Sequence, residues 1–111
     1  MIPKNYQTLI EKLILGTSLK RITWNRTSRP SEYQVNIGSG AITTDYWEDE
    51  QAGRLLVDFS IWNDQGEVID TLSASEGEED YVLIRKLYEC AKRSYLKIDD
   101  TITDMMNHLN F

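Results

Sequence analysis

The segment from Arg54 to Leu72 reads RLLVDFSIWNDQGEVIDTL. Its first nine residues alternate. Leu55, Val57, Phe59 and Ile61 fall on one side of an extended chain, and Leu56, Asp58, Ser60 and Trp62 on the other. The stretch NDQG at 63–66 then interrupts the pattern. Asn63 favours the first position of a type I turn, and Gly66 the left-handed position that closes a bulged hairpin. EVIDTL returns as a second strand. So short a connection cannot make a parallel crossover, so the pair is antiparallel.

Working back toward the N-terminus, the same period recurs. In EYQVNI, Tyr33, Val35 and Ile37 share one side, with Glu32, Gln34 and Asn36 opposite. GSG at 38–40 permits the positive φ of a tight hairpin. AITTDYW then places Ile42, Thr44 and Tyr46 inward and Ala41, Thr43, Asp45 and Trp47 outward. The acidic stretch around Glu48, Asp49 and Glu50 leads to Arg54. Four sequential antiparallel strands result.

Helical spacing flanks this meander. Tyr6, Leu9, Ile10, Leu13 and Ile14 recur three and four apart, with Pro3 suited to the first turn and either Gly16 supplying a left-handed end or the helix running a few residues further. SLKRITW alternates at Ile22 and Trp24, as a short strand or extended arm, and NRTSRPS is a loop. Tyr81, Ile84, Leu87, Tyr88, Ala91 and Tyr95 mark a long helix. Acids crowd its start and Lys92, Arg93 and Lys97 its end, complementing the helix dipole. A short last helix comes next, with Asp99 as its cap and Ile102, Met105, Met106 and Leu109 as its apolar positions. The expected fold is α+β: an N-terminal helix, a four-stranded antiparallel meander, a long helix and a short one, with helices on one face of the sheet.

At 111 residues the chain is expected to be a single domain, residues 1–111, able to bury a core without staples. One cysteine forms no internal disulfide, and no segment has the apolar run of a signal peptide or membrane span. We therefore expect a cytoplasmic protein. The net charge of −6 is unevenly spread: residues 1–29 carry +5, 30–80 carry −12, 81–97 carry +4 and 98–111 carry −3. Overall negative charge argues against broad nucleic-acid binding, which depends on neutralising phosphates.

Catalytic chemistry finds few carriers. His108 is the sole histidine and reads as an exposed helix residue. Cys90, among Leu87 and Ala91, reads as a small buried hydrophobe. No metal spacing, phosphate-binding loop or dinucleotide fingerprint is present, so no cofactor is expected. Carboxylates are too abundant for any pair to stand out as an acid and base, which leaves a carboxylate-dependent enzyme as a third alternative.

What remains is contact chemistry. Trp47 and Trp62 share the outer sheet face, beside the acidic residues Glu48, Asp49 and Glu50, and tryptophan is enriched at binding hot spots. The last helix must place its apolar side somewhere. The domain's own core is the first expectation, and a second copy or another protein, contacted through Met105 and Met106, is the alternative. The basic arm of Lys20, Arg21, Trp24 and Arg26 has the mixture of a single-strand stacking platform. Trp24 shares a side with Ile22 and is more simply a core anchor. The leading expectation is a non-enzymatic protein-interaction module, self-associating as a homodimer or binding a basic protein. The alternative is a single-stranded nucleic-acid binder. A helix, the arm RITW, the meander IWNDQGEVIDTL and the helix YVLIRKLYECAKRSYLK together resemble small free-standing bacterial α+β domains of unknown function. That resemblance spans most of the chain and carries no site residue with it.

Overall fold

The computed structural model describes all 111 residues. Its strands are β1 (Asn25–Arg26), β2 (Glu32–Ile37), β3 (Gly40–Asp49), β4 (Arg54–Trp62) and β5 (Val68–Ser75), paired antiparallel in chain order. Around them stand α1 (Lys4–Ser18), α2 (Glu79–Leu96) and α3 (Ile98–His108). The fold is the expected α+β meander with one strand more than expected. β1 sets Asn25 opposite Gln34 and Arg26 opposite Tyr33. A two-residue strand has no period of its own, so it reads from the sequence as a loop.

The turns obey their chemistry. Gly66 has φ 75° and its N–H donates to the Asn63 carbonyl at 3.2 Å, closing the β4–β5 hairpin. The strands then slip by one residue, Trp62 pairing with Val68 and Ile61 with Asp70, so that Ile69 is bulged out of the ladder. At the β2–β3 hairpin Gly38 takes φ 60° while Ser39 does not enter the positive region, the pattern of a type II′ turn.

α1 does not end at Gly16. It continues to Ser18, and the left-handed residue is Lys20, φ 60°. The Arg21 N–H donates to the Gly16 carbonyl at 2.8 Å and the Lys20 N–H to that of Thr17 at 3.0 Å, a Schellman ending built without glycine. Gly16 serves packing instead. A Cβ there would lie 2.5 Å from Ile22 Cδ1, so the arm returns across a bare spot on the helix.

Tyr33, Val35, Ile42, Val57, Phe59 and Ala74 of the sheet meet Ile10 and Leu13 of α1 and Ile84, Leu87, Tyr88 and Ala91 of α2 in one core. Each fully buried large apolar side chain contributes about 1.5–3 kcal/mol. Burial also pushes the Tyr88 hydroxyl up to about 12, leaving it protonated and neutral inside. Ile37 keeps the inward side of β2 but lies past the helices and is exposed.

α1 and α2 account for the cover on the inner face. α3 does not join them. It packs on the end of α2 and none of its residues is buried. The radius of gyration is 15.3 Å, against about 13 Å for a compact chain of this length. The molecule measures 50 × 36 × 28 Å, and a projecting helix of about 16 Å is consistent with that elongation. None of its helices is long and apolar enough to cross a membrane.

Candidate functional site

α3 begins at a hinge. Lys97 adopts the left-handed conformation, φ 54° and ψ 42°, ending α2 and starting α3 at the same residue. Its N–H closes α2 on the Arg93 and Ser94 carbonyls, and its own carbonyl accepts from Thr101 N–H at 2.9 Å. Asp99, expected as the cap, is instead the second residue of α3, in its first turn. A lysine in this conformation carries none of glycine's signature, so the bend is not legible from residue type.

Two ion pairs brace the first turn of α3. Arg93 Nη2 reaches Asp99, and Lys20 Nζ meets Asp100 at 2.9 Å. The Asp100 carboxyl is held below the usual range by that hydrogen bond and charge. All four side chains are largely exposed, so the pairs steer direction more than they stabilise. With the acids tied down, the apolar residues stand free: Ile102 is 46% exposed, Met105 58%, Met106 66% and Leu109 61%. The expectation that they complete the domain's own core is overturned. The polar first turn, not the apolar stripe, faces the body. His108 is exposed on the same helix, its Nδ1 2.9 Å from the Asp104 carbonyl oxygen.

The outer sheet face is more orderly than its composition suggests. Register places Glu32, Asp45, Asp58 and Ser73 in one row across β2 to β5. Asp45 is only 2% exposed; it accepts from Ser31 Oγ at 2.6 Å and pairs with Arg29 Nη2 at 2.7 Å. Asp58 accepts from Ser73 Oγ at 2.6 Å and from Trp47 Nε1 at 2.9 Å. Glu32 accepts from Thr27 Oγ1 at 2.8 Å. Every carboxylate of the row is thus held by a neighbour. Trp47 is 37% exposed with its N–H committed, and half-buried Trp62 donates Nε1 to Thr43 Oγ1 at 2.9 Å. Both are pinned, showing ring faces and edges rather than free polar atoms. Glu48 and Glu50 are exposed at the end of β3. Asp49 is half-buried and accepts from the Gln51 N–H at 3.1 Å, so its carboxylate serves the turn.

The basic arm is dismantled as a single surface. Trp24 is 2% exposed and donates Nε1 to Thr17 Oγ1 at 2.9 Å, so no base can stack on it. Lys20 is taken by Asp100, and the Arg26 guanidinium lies 5.1 Å from the Tyr95 ring centre and 5.9 Å from that of Tyr33. Arg21 is exposed. Between the end of α1, this arm and α2 runs an open groove of about 740 Å³ with Cys90 in its wall. Burial raises the pKa of that thiol, the opposite of what activates a nucleophile.

Sequence reasoning missed two features. The Trp47–Asp58–Ser73 network needed strand register as well as parity. Ile98, half-buried at the hinge, went unnoticed because the assumed cap at Asp99 set the helix start one residue beyond it. Compared with protein-family models, curated proteins and solved structures, the chain finds no match.

Proposed function

We propose that the chain is a non-enzymatic protein-interaction module whose binding element is α3. The observation that carries this reading is an amphipathic helix with no buried residue and three large apolar side chains in solvent, followed by exposed Leu109 at its C-cap. An isolated helix of eleven residues is shorter than the ~12–15 residues that hold together in water unaided. Its stripe is covered when α3 lies against another protein, helix to helix or helix in groove. Met105 and Met106 suit such a contact, since unbranched thioether side chains adapt to an irregular surface.

A photo-cross-linking residue at Met106, introduced in expressing cells, tests the reading. The expected outcome is a discrete protein adduct at Met106 that disappears when Ile102→Asp is added, with no such adduct from an equivalent probe at exposed Lys12. Equal, diffuse labelling at both positions would sink it.

A second reading places a basic protein on the acidic end of the sheet. There Glu48 and Glu50 are exposed, and Glu76 N–H bonds to the Leu55 carbonyl at 2.9 Å, bringing the loop before α2 beside the β3–β4 turn. Association with such a partner is expected to slow steeply with added salt and with Glu50→Lys.

A further inference from the structure

We infer that the partner of α3 is the α3 of a second copy of this chain, packed antiparallel along its apolar stripe. Self-pairing rests on the reading of α3 as the binding element and names what covers it.

The same three-and-four spacing recurs in the sequence of both helices, while the left-handed Lys97 between them turns the second away from the first. Tyr81, Ile84, Tyr88, Ala91 and Tyr95 occupy successive a and d positions of α2, and Ile98, Ile102, Met105 and Leu109 continue the same spacing without a skipped residue. In α2 most of the seam is spent on the core: Ile84, Tyr88 and Ala91 are buried. The bend at Lys97 then lifts the second half off the sheet, and the Arg93–Asp99 and Lys20–Asp100 pairs hold it there by its polar side.

The flanks of the seam say which partner fits. In this register Asp99 and Met106 fall at e, Thr101 and His108 at g, and Asp100 and Asp104 at f and c, away from the seam. Asp99 is already neutralised by Arg93 of its own chain. Two copies therefore meet with no carboxylate opposed to another, despite the net negative charge of the helix. A strongly basic partner would find these carboxylates beside or behind the apolar stripe rather than across it. Antiparallel packing matches Ile102 with Met105, a pair that two-fold symmetry repeats, with half-buried Ile98 and the C-cap residue Leu109 at either end. It also sets the two sheet domains at opposite ends of the helix pair. So few layers lie well below the ~800 Å² per partner of a standard interface. The dimer is accordingly one that forms and dissociates with concentration.

Sedimentation equilibrium of the full chain from about 10 μM to 1 mM tests this, since affinities in that range suit a small interface. The apparent mass is expected to rise from the monomer's 12.9 kDa toward twice that value. Ile102→Lys and Met105→Glu should each remain monomeric while giving wild-type circular dichroism and, in dilute solution, wild-type thermal unfolding, because neither site touches the core. An equimolar mixture of the two should recover the dimer, since only antiparallel packing brings position 102 of one chain against 105 of the other. A dimer that survives Ile102→Lys would overturn the assignment of the interface to α3. Loss without recovery in the mixture would overturn the antiparallel register. A wild-type chain monomeric at 1 mM that still yields a heterologous adduct at Met106 would overturn self-pairing and leave the interaction reading standing. A monomer with no adduct would remove both.

Discussion

Between Tyr81 and Ala91 the stripe of α2 lies under the sheet and supplies Ile84, Leu87 and Ala91, none with any exposure. Between Ile102 and Leu109 the same spacing, with equally apolar residues, lies in solvent. One residue separates the two helices, and it is neither proline nor glycine. Amphipathic periodicity reports that a helix has an apolar side; it does not report what that side meets. In α2 the partner is intramolecular because the meander delivers β3 and β4 beneath it. Past Lys97 no strand remains for α3 to cover.

The widest test of this contrast is to cut the same kind of side chain from each helix. Leu87→Ala is expected to cost about 2–5 kcal/mol, since a fully buried leucine leaves a cavity as well as losing its transfer energy. Urea denaturation monitored by tryptophan fluorescence measures it. A loss under 1 kcal/mol would mean that α2 is not anchored as described.

Lys97→Gly addresses the hinge. Glycine adopts the left-handed conformation without the Cβ penalty, so this change should raise monomer stability by up to about 1 kcal/mol. Lys97→Ala, by contrast, should not. A destabilising glycine would indicate that the chain is better served by one continuous helix through Lys97 than by the bend.

The start of α2 provides a pH handle of its own. Glu78, the N-cap residue of α2, accepts from both Ser75 Oγ and Ser75 N–H at 2.6 Å, which ties the turn leading into the helix. The hydroxyl bond first, and the backbone bond next, hold its carboxyl below the ordinary range. A depressed folded pKa means that the stabilisation is present above the unfolded carboxylate value and is lost as pH falls through the folded one. Wild type should therefore lose stability relative to Glu78→Gln on titration from pH 6 toward pH 3. Parallel curves would show that the cap contributes nothing.

Met105→Asp should have the smallest effect on the monomer. Stability within about 0.5 kcal/mol of wild type in dilute solution is expected for a surface change away from the core. Comparing its melting temperature with wild type at 5 μM and again near 1 mM sharpens the contrast: only the concentrated sample should separate them.

Much of the sheet was legible beforehand, because the sequences of β2, β3 and β4 alternate, whereas β1 is too short to do so. Asn63, Gly66 and Gly38 marked hairpins by chemistry that acts within four residues. Lys20 and Lys97 were illegible for the converse reason. Their left-handed backbones are imposed by the segments after them, the arm packing back on Gly16 and α3 turning from the body, and lysine advertises neither. Trp24 shows the intermediate case. Parity with Ile22 suggested an anchor, whereas its hydrogen bond to Thr17 depends on α1 running past Gly16 to present that hydroxyl.

The outer face divides along the same line. The parity of Asp45, Trp47 and Asp58 was local information. Their assembly into a satisfied row was not, because it needs the β2–β3–β4–β5 register and the loop that carries Arg29 and Ser31 to Asp45. By itself, then, the sequence determined the order of elements apart from β1, the apolar side of the longer strands and of the helices, and the hairpin turns, since these derive from short-range sterics and the two backbone periods. Only the tertiary structure decided which apolar stripe found cover, which carboxylates and tryptophans were tied, and that α3 stands clear. Those outcomes depend on the arrival of residues distant along the chain, and no local preference encodes that.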